Sequence, residues 1–150
     1  MNRVSSRPLF TLALVALSVL ALARPAQAVE RPYVARGTAQ FTATGFVGTG
    51  TATYLGMYTE VGTPIQLTPT ADPTVFDATA TSTYTASNGD ELRAVFTGQL
   101  NAATGVITAT VTYVGGTGRF ANASGTATLS GQLGPGGASL EVAVKGNIDY

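Results

Sequence analysis

The sequence predicts an all-β protein, a single antiparallel eight-stranded barrel, on three observations. Threonine supplies 23 of the 122 residues from Val29 to Tyr150, and branching at Cβ favours strands over helices. Apolar and polar residues alternate with period two along most of that stretch, with no competing helical period. Gly-rich and Asn-Gly turn signals interrupt it at short intervals. Strands that are apolar on one face must hide those faces together, and a closed barrel does this without leaving edges. A two-sheet sandwich meets the same requirement and is the alternative.

Taken in order, the chain opens with an address. Arg3 and Arg7 precede an uncharged run from Leu9 to Leu22, and Ala26-Gln27-Ala28 offers small residues at a cleavage point. Residues 1–28 therefore read as a secretory signal peptide, and 29–150 as the barrel domain. The run is shorter than the roughly 20 residues of a spanning helix. The expected location is secreted or periplasmic.

The first strand places Tyr33, Ala35, Gly37, Ala39 and Phe41 on one face. From Phe46 to Glu60 the chain is Gly-rich and less regular. Phe46, Ala52, Tyr54, Tyr58 and Glu60 share one parity, and Val47, Leu55, Met57 and Val61 the other, which leaves the buried face ambiguous. Pro64 to Leu67 forms a short strand before the turn region Thr68 to Pro73. Phe76, Ala78, Ala80 and Tyr84 then alternate with threonines up to the Ser87-Asn88-Gly89-Asp90 turn. Leu92, Ala94, Phe96 and Leu100 follow, then Ile107, Ala109, Val111 and Tyr113. Beyond Gly115-Gly116-Thr117-Gly118 come Ala121, Ala123, Ala127, Leu129 and Leu133. After Gly134-Pro135-Gly136-Gly137, the last strand carries Leu140, Val142, Val144 and Ile148.

Composition narrows the chemistry. The sequence has no Cys and no His, so it lacks a disulfide framework, a thiolate zinc site and the usual general base near neutral pH. No metal and no cofactor is expected. Without residues 1–28, five basic residues face eight acidic ones, which gives no footprint for nucleic acid. The Gly115–Gly118 run lacks the Lys-Ser/Thr and the helix of a phosphate loop, and Asn122-Ala123-Ser124 is a short glycosylation sequon that is common by chance.

The inward parity is rich in Ala and Gly and punctuated by aromatics, which suits either a barrel filled by its own rings or a cavity for one small ligand. Buried phenols seek hydrogen-bond partners, so Tyr54, Tyr58, Tyr84 and Tyr113, with Phe96, are the candidate ligand pocket. Glu60 is the candidate catalytic residue. Asp77, Glu91, Arg93, Glu141, Lys145 and Asp149 fall on the threonine face, whereas Glu60 shares parity with Tyr54 and Tyr58 and could reach a barrel mouth, where burial raises a carboxyl towards a working acid or base. Arg119 reads either as a surface cation or as a pocket-rim donor.

The run Tyr113-Val114-Gly115-Gly116-Thr117-Gly118-Arg119-Phe120-Ala121-Asn122-Ala123-Ser124-Gly125 resembles the Gly-Gly-Thr/Ser-Gly-x-Phe segment of the dirigent and allene oxide cyclase-like barrel family. Gly50-Thr51-Ala52-Thr53-Tyr54-Leu55-Gly56 is similar to a motif of its small exported bacterial members. The resemblance implies an eight-stranded barrel, homo-oligomeric in plant relatives, whose apolar cavity holds a reactive small molecule in one folded shape. It further implies cofactor-free cyclisation or coupling, an isomerase or cyclase activity carried by orientation.

The expected function is thus an exported barrel that binds a small apolar molecule and directs its cyclisation or coupling. A non-catalytic secreted structural or interaction protein is the first alternative. A small outer-membrane barrel, with its apolar face outward, is the second. The main reading expects a small apolar molecule as partner, with no nucleic acid and no stable membrane insertion.

Overall fold

A computed structural model describes residues 29–150; the proposed signal peptide, 1–28, lies outside the described residues. Nine strands follow in order: β1 (Arg31–Thr42), β2 (Gly45–Ala52), β3 (Gly56–Gly62), β4 (Gln66–Pro69), β5 (Val75–Ala86), β6 (Glu91–Asn101), β7 (Val106–Gly116), β8 (Ser124–Leu133) and β9 (Ser139–Ile148). Sequential neighbours pair antiparallel, apart from β3 with β4, and two further ladders close the sheet on itself: β1 with β9 and β3 with β5.

The ninth strand does not add a ninth stave. β3 pairs with Ser82–Ala86 of β5, and β4 pairs with Phe76–Thr79 of the same edge. The two are halves of one stave, interrupted at Thr63-Pro64-Ile65, where the register against β5 slips by one residue in the manner of a bulge. The result is the closed eight-stave barrel expected from the sequence. The short strand predicted at Pro64–Leu67 falls two residues later, because Pro64 has no N–H to give a ladder.

The apolar parity faces inward in β1 and in β5 to β9. Tyr33, Ala35, Ala39, Ala78, Leu92, Ala94, Val111, Ala127, Leu129, Val144 and Ile148 are all buried. Outward positions carry threonines with Asp77, Arg93, Glu141 and Lys145 exposed. The ambiguous stretch resolves in favour of even positions: Phe46, Gly48, Tyr58, Glu60 and Gly62 point in, and Val47, Met57 and Val61 are exposed.

One end of the barrel is plugged. Between β7 and β8 a short 3-10 turn, Gly118–Phe120, drops Phe120 over the opening. Phe120, Leu92 and Ile148 are fully buried there, and Tyr150 packs on both Phe120 (ring centroids 5.1 Å apart) and Tyr54 (5.4 Å). Arg119 lies over the Phe120 ring and Arg31 over that of Tyr150. Asp90 of the β5–β6 turn ties down Arg119 at 3.5 Å. The Gly115–Gly118 run is therefore a strand end and a turn between antiparallel strands, and the segment that carries the family resemblance builds this plug.

Candidate functional site

The β2–β3 ladder sets the position of Glu60, the one acidic residue among the described residues that is buried as a whole. Its inward-facing cross-strand pairs are Phe46 with Gly62, Gly48 with Glu60, and Gly50 with Tyr58. Each large side chain lies over a glycine on the opposite strand. A Cβ on Gly62 would overlap the Phe46 ring, one on Gly48 would sit 3.0 Å from Glu60 Oε2, and one on Gly50 would stand 2.5 Å from the Tyr58 hydroxyl. The glycines clear the space into which Phe46, Glu60 and Tyr58 fold, and so hold those side chains against the wall.

On the other side of β3, β5 supplies the polar partners. Ser82 donates its hydroxyl to Glu60 Oε1 at 2.6 Å, and Tyr84 is the cross-strand partner of Glu60. The rings of Tyr58 and Tyr84 meet edge to face at 5.2 Å, and those of Tyr33 and Tyr113 do the same at 5.1 Å. Glu60 is 6% exposed. Burial pushes its carboxyl above the ordinary value of 4.5, and the hydroxyls of Ser82 and Tyr84 pull it partly back. Burial likewise raises all four phenols, Tyr58 to about 12, so they stay neutral throughout the physiological range.

Glu60 and Tyr84 form the polar floor of an otherwise apolar cavity of about 60 Å³, walled by Ala39, Ala78, Ala80, Ala109, Phe46 and Phe96 among others. That volume accommodates a few waters or the end of a slender molecule. Ile65, in the break between β3 and β4, and the exposed Thr79 also line it. Ile65 is half-buried, so the side of the cavity nearest the surface is the one beside the broken stave, towards the end away from Phe120. Ile65 and Ile107 separate it from a second apolar hollow edged by Phe41, Leu100 and Leu133.

Of the residues proposed from sequence, Glu60, Tyr84 and Phe96 line the cavity, and Tyr58 packs against Tyr84. Glu60 sits within the barrel wall rather than at a mouth. Tyr113 lies one ring behind, against Tyr33. Tyr54 is not brought to the site: it occupies the Thr53–Leu55 turn with φ of 70° and stacks on Tyr150 at the plugged end. Shared parity with Tyr58 did not carry over, because the turn breaks the alternation between them. Arg119 is a plug residue. Ser82 was missed, although a serine on the same parity as Ala78, Ala80 and Tyr84 was a readable signal.

No group of acidic side chains among the described residues could hold a metal ion. Comparison of the chain with known protein families, curated proteins and solved structures gives no match.

The raised carboxyl has a consequence for stability. A group whose folded-state value exceeds its unfolded one stabilises the fold fully below the unfolded value, and that contribution is lost as pH rises through the folded value. For Glu60 the loss begins near pH 4.5. Glu60→Gln keeps an acceptor for Ser82 and never ionises. Its urea midpoint is expected to gain on that of the unaltered protein as pH rises from 4.5 towards neutrality; parallel pH profiles for the two proteins would contradict the assignment of burial as the dominant cause.

Proposed function

We propose that the barrel binds one small, slender apolar molecule in its lumen, with the polar end of that molecule against Glu60 and Tyr84. The observation that carries this reading is the combination of an apolar cavity, bounded at the broken stave by Ile65, with a single buried carboxyl in its lining. Apolar clefts with a few convergent polar groups are the usual form of small-molecule sites, and burying a carboxyl without a polar task is costly. The likeness of Tyr113–Gly125 to the dirigent and allene oxide cyclase-like segment supports the same reading. It extends the reading to a cofactor-free cyclisation or coupling, in which the lumen fixes the folded shape of a reactive chain and Glu60 supplies or holds a proton. With residues 1–28 taken as an export signal, the ligand is met outside the cytoplasm.

A lumen-filling substitution tests the binding claim. Ala80 is half-buried on the cavity wall, and Ala80→Phe places a ring in the volume the ligand needs. The expected outcome is loss of displaceable binding of an apolar dye, with the fold retained by circular dichroism. Native mass spectrometry of the detergent-free protein is expected to show a bound metabolite that the variant lacks. Equal dye binding by both proteins would count against a luminal site.

A further inference from the structure

The chemistry of the lumen goes further than the word apolar, and this step rests on the reading just given. We propose that the cavity selects neutral molecules that end in a hydrogen-bond acceptor, such as a ketone or ether oxygen, and rejects carboxylates. Three observations carry it.

The first is the charge inventory. Glu60 is the one ionisable carboxyl lining the cavity, and no cation lines it. The described basic groups are engaged or turned elsewhere: Arg31 and Arg119 lie over rings at the plugged end, Arg93 pairs with Glu91 on the outside, and Arg36 and Lys145 are exposed. A ligand carboxylate would enter an apolar space already holding an acid, with nothing to neutralise it.

The second is the hydrogen-bond direction. Ser82 already donates to Oε1 and the Tyr84 hydroxyl is turned to the same carboxyl, so a further donor from the ligand meets an acceptor already served, whereas a ligand acceptor finds the Glu60 O–H once it is protonated. The third is the wall. Ala39, Ala78, Ala80 and Ala109 line the cavity together with Phe46 and Phe96, a narrow apolar space that suits an unbranched chain.

Binding of such a molecule is therefore coupled to a proton on Glu60. The groups facing that carboxyl do not compete for it. β2 presents Gly48, β5 presents Ser82 and Tyr84, β3 itself presents Tyr58, and Tyr33 approaches from β1 with Tyr113 of β7 behind it. The cavity-lining residues of β6, β8 and β9 are Phe96, Leu129, Leu140 and Val142, none of which titrates. The phenols of Tyr33, Tyr58, Tyr84 and Tyr113 are held neutral by burial.

The test is isothermal titration of the purified chain with three probes of equal length: methyl pentyl ketone, heptylamine and heptanoate. Titrations are run across roughly pH 5 to 8 in two buffers of different protonation enthalpy. The expected result is that the ketone binds with uptake of a proton and weakens by about tenfold per pH unit once Glu60 ionises. Heptanoate is expected to bind at least about tenfold more weakly than the ketone. In Glu60→Gln the ketone still binds, through the amide N–H, and the pH dependence disappears. Heptanoate or heptylamine binding as well as the ketone would overturn the selectivity and leave the luminal site standing. So would an unchanged pH profile in the variant. If none of the three binds, and the apolar dye is also indifferent to Ala80→Phe, the luminal site itself falls with it.

Discussion

Phe120→Ala is expected to destabilise the protein by about 3–5 kcal/mol, the range for removing a fully buried aromatic ring. The size follows from the place of the residue. Phe120 has no exposed surface, it carries the Tyr150 ring at 5.1 Å, and it closes the barrel over Leu92 and Ile148. The 3-10 turn that holds it spans only three residues, Gly118–Phe120, so the turn has little other burial to keep it in place. Against a typical total stability of about 5–15 kcal/mol, this loss lowers the urea midpoint by roughly 2 M. Exchange of amide hydrogens in the Gly115–Ser124 segment should accelerate more than in β9, since local opening of the plug becomes cheaper than global unfolding. A change in midpoint no larger than that of a surface substitution would show that the plug is dispensable.

The second large effect lies on the β2–β3 ladder. Gly62→Ala puts a methyl group into the Phe46 ring, and all three of the nearest atoms to that new Cβ belong to the ring. The expected cost is about 1–3 kcal/mol, as for other insertions into a packed core. Because the conflict is with one side chain and not with backbone, it should be relieved by removing that side chain. Phe46→Ala alone also destabilises, by vacating a buried position. The double variant is expected to be more stable than the sum of the single losses, with a coupling of about 0.5–3 kcal/mol in a double-mutant cycle. Additive losses would place the strain elsewhere. At Gly48 a methyl group would stand 3.0 Å from both Glu60 Oε2 and the backbone oxygen of Thr38, so removing the side chain would relieve only part of the crowding there; the geometry of the candidate site is still tied to a glycine.

Those glycines also explain what was and was not legible in the sequence. In β1 and in β5 to β9, the inward parity was written in side chains such as Phe96, Val111 and Leu129, and the structure follows it residue by residue. In β2 and β3, half of the inward positions are Gly48, Gly50 and Gly62, which carry no hydropathy of their own, while Val47, Met57 and Val61 face solvent. The parity there is set by partners across the ladder, and register is invisible in a single strand. The burial of Glu60 was open for the same reason. Its niche is made by Gly48 on β2 and its hydroxyl partner by Ser82, 22 residues away. The separation of Tyr54 from Tyr58 arises from the left-handed backbone of one turn residue, which alternation does not encode. The doubling of β3 and β4 into one stave follows from Pro64 and a one-residue slip, and needs β5 to be seen.

The plug gives the lumen a direction. On the proposed reading, a tube sealed by Phe120 at one end is threaded from the other: the leading end of a guest would be the end that meets Glu60, and the last to leave. Recognition would then be unequal along the guest. A single atom changed at the head would be read by a carboxyl and a phenol in an enclosed pocket, while added length at the tail would extend past Ile65 and Ile107 and cost little. A family of guests that share one head and differ in their tails is what such a one-ended tube would sort.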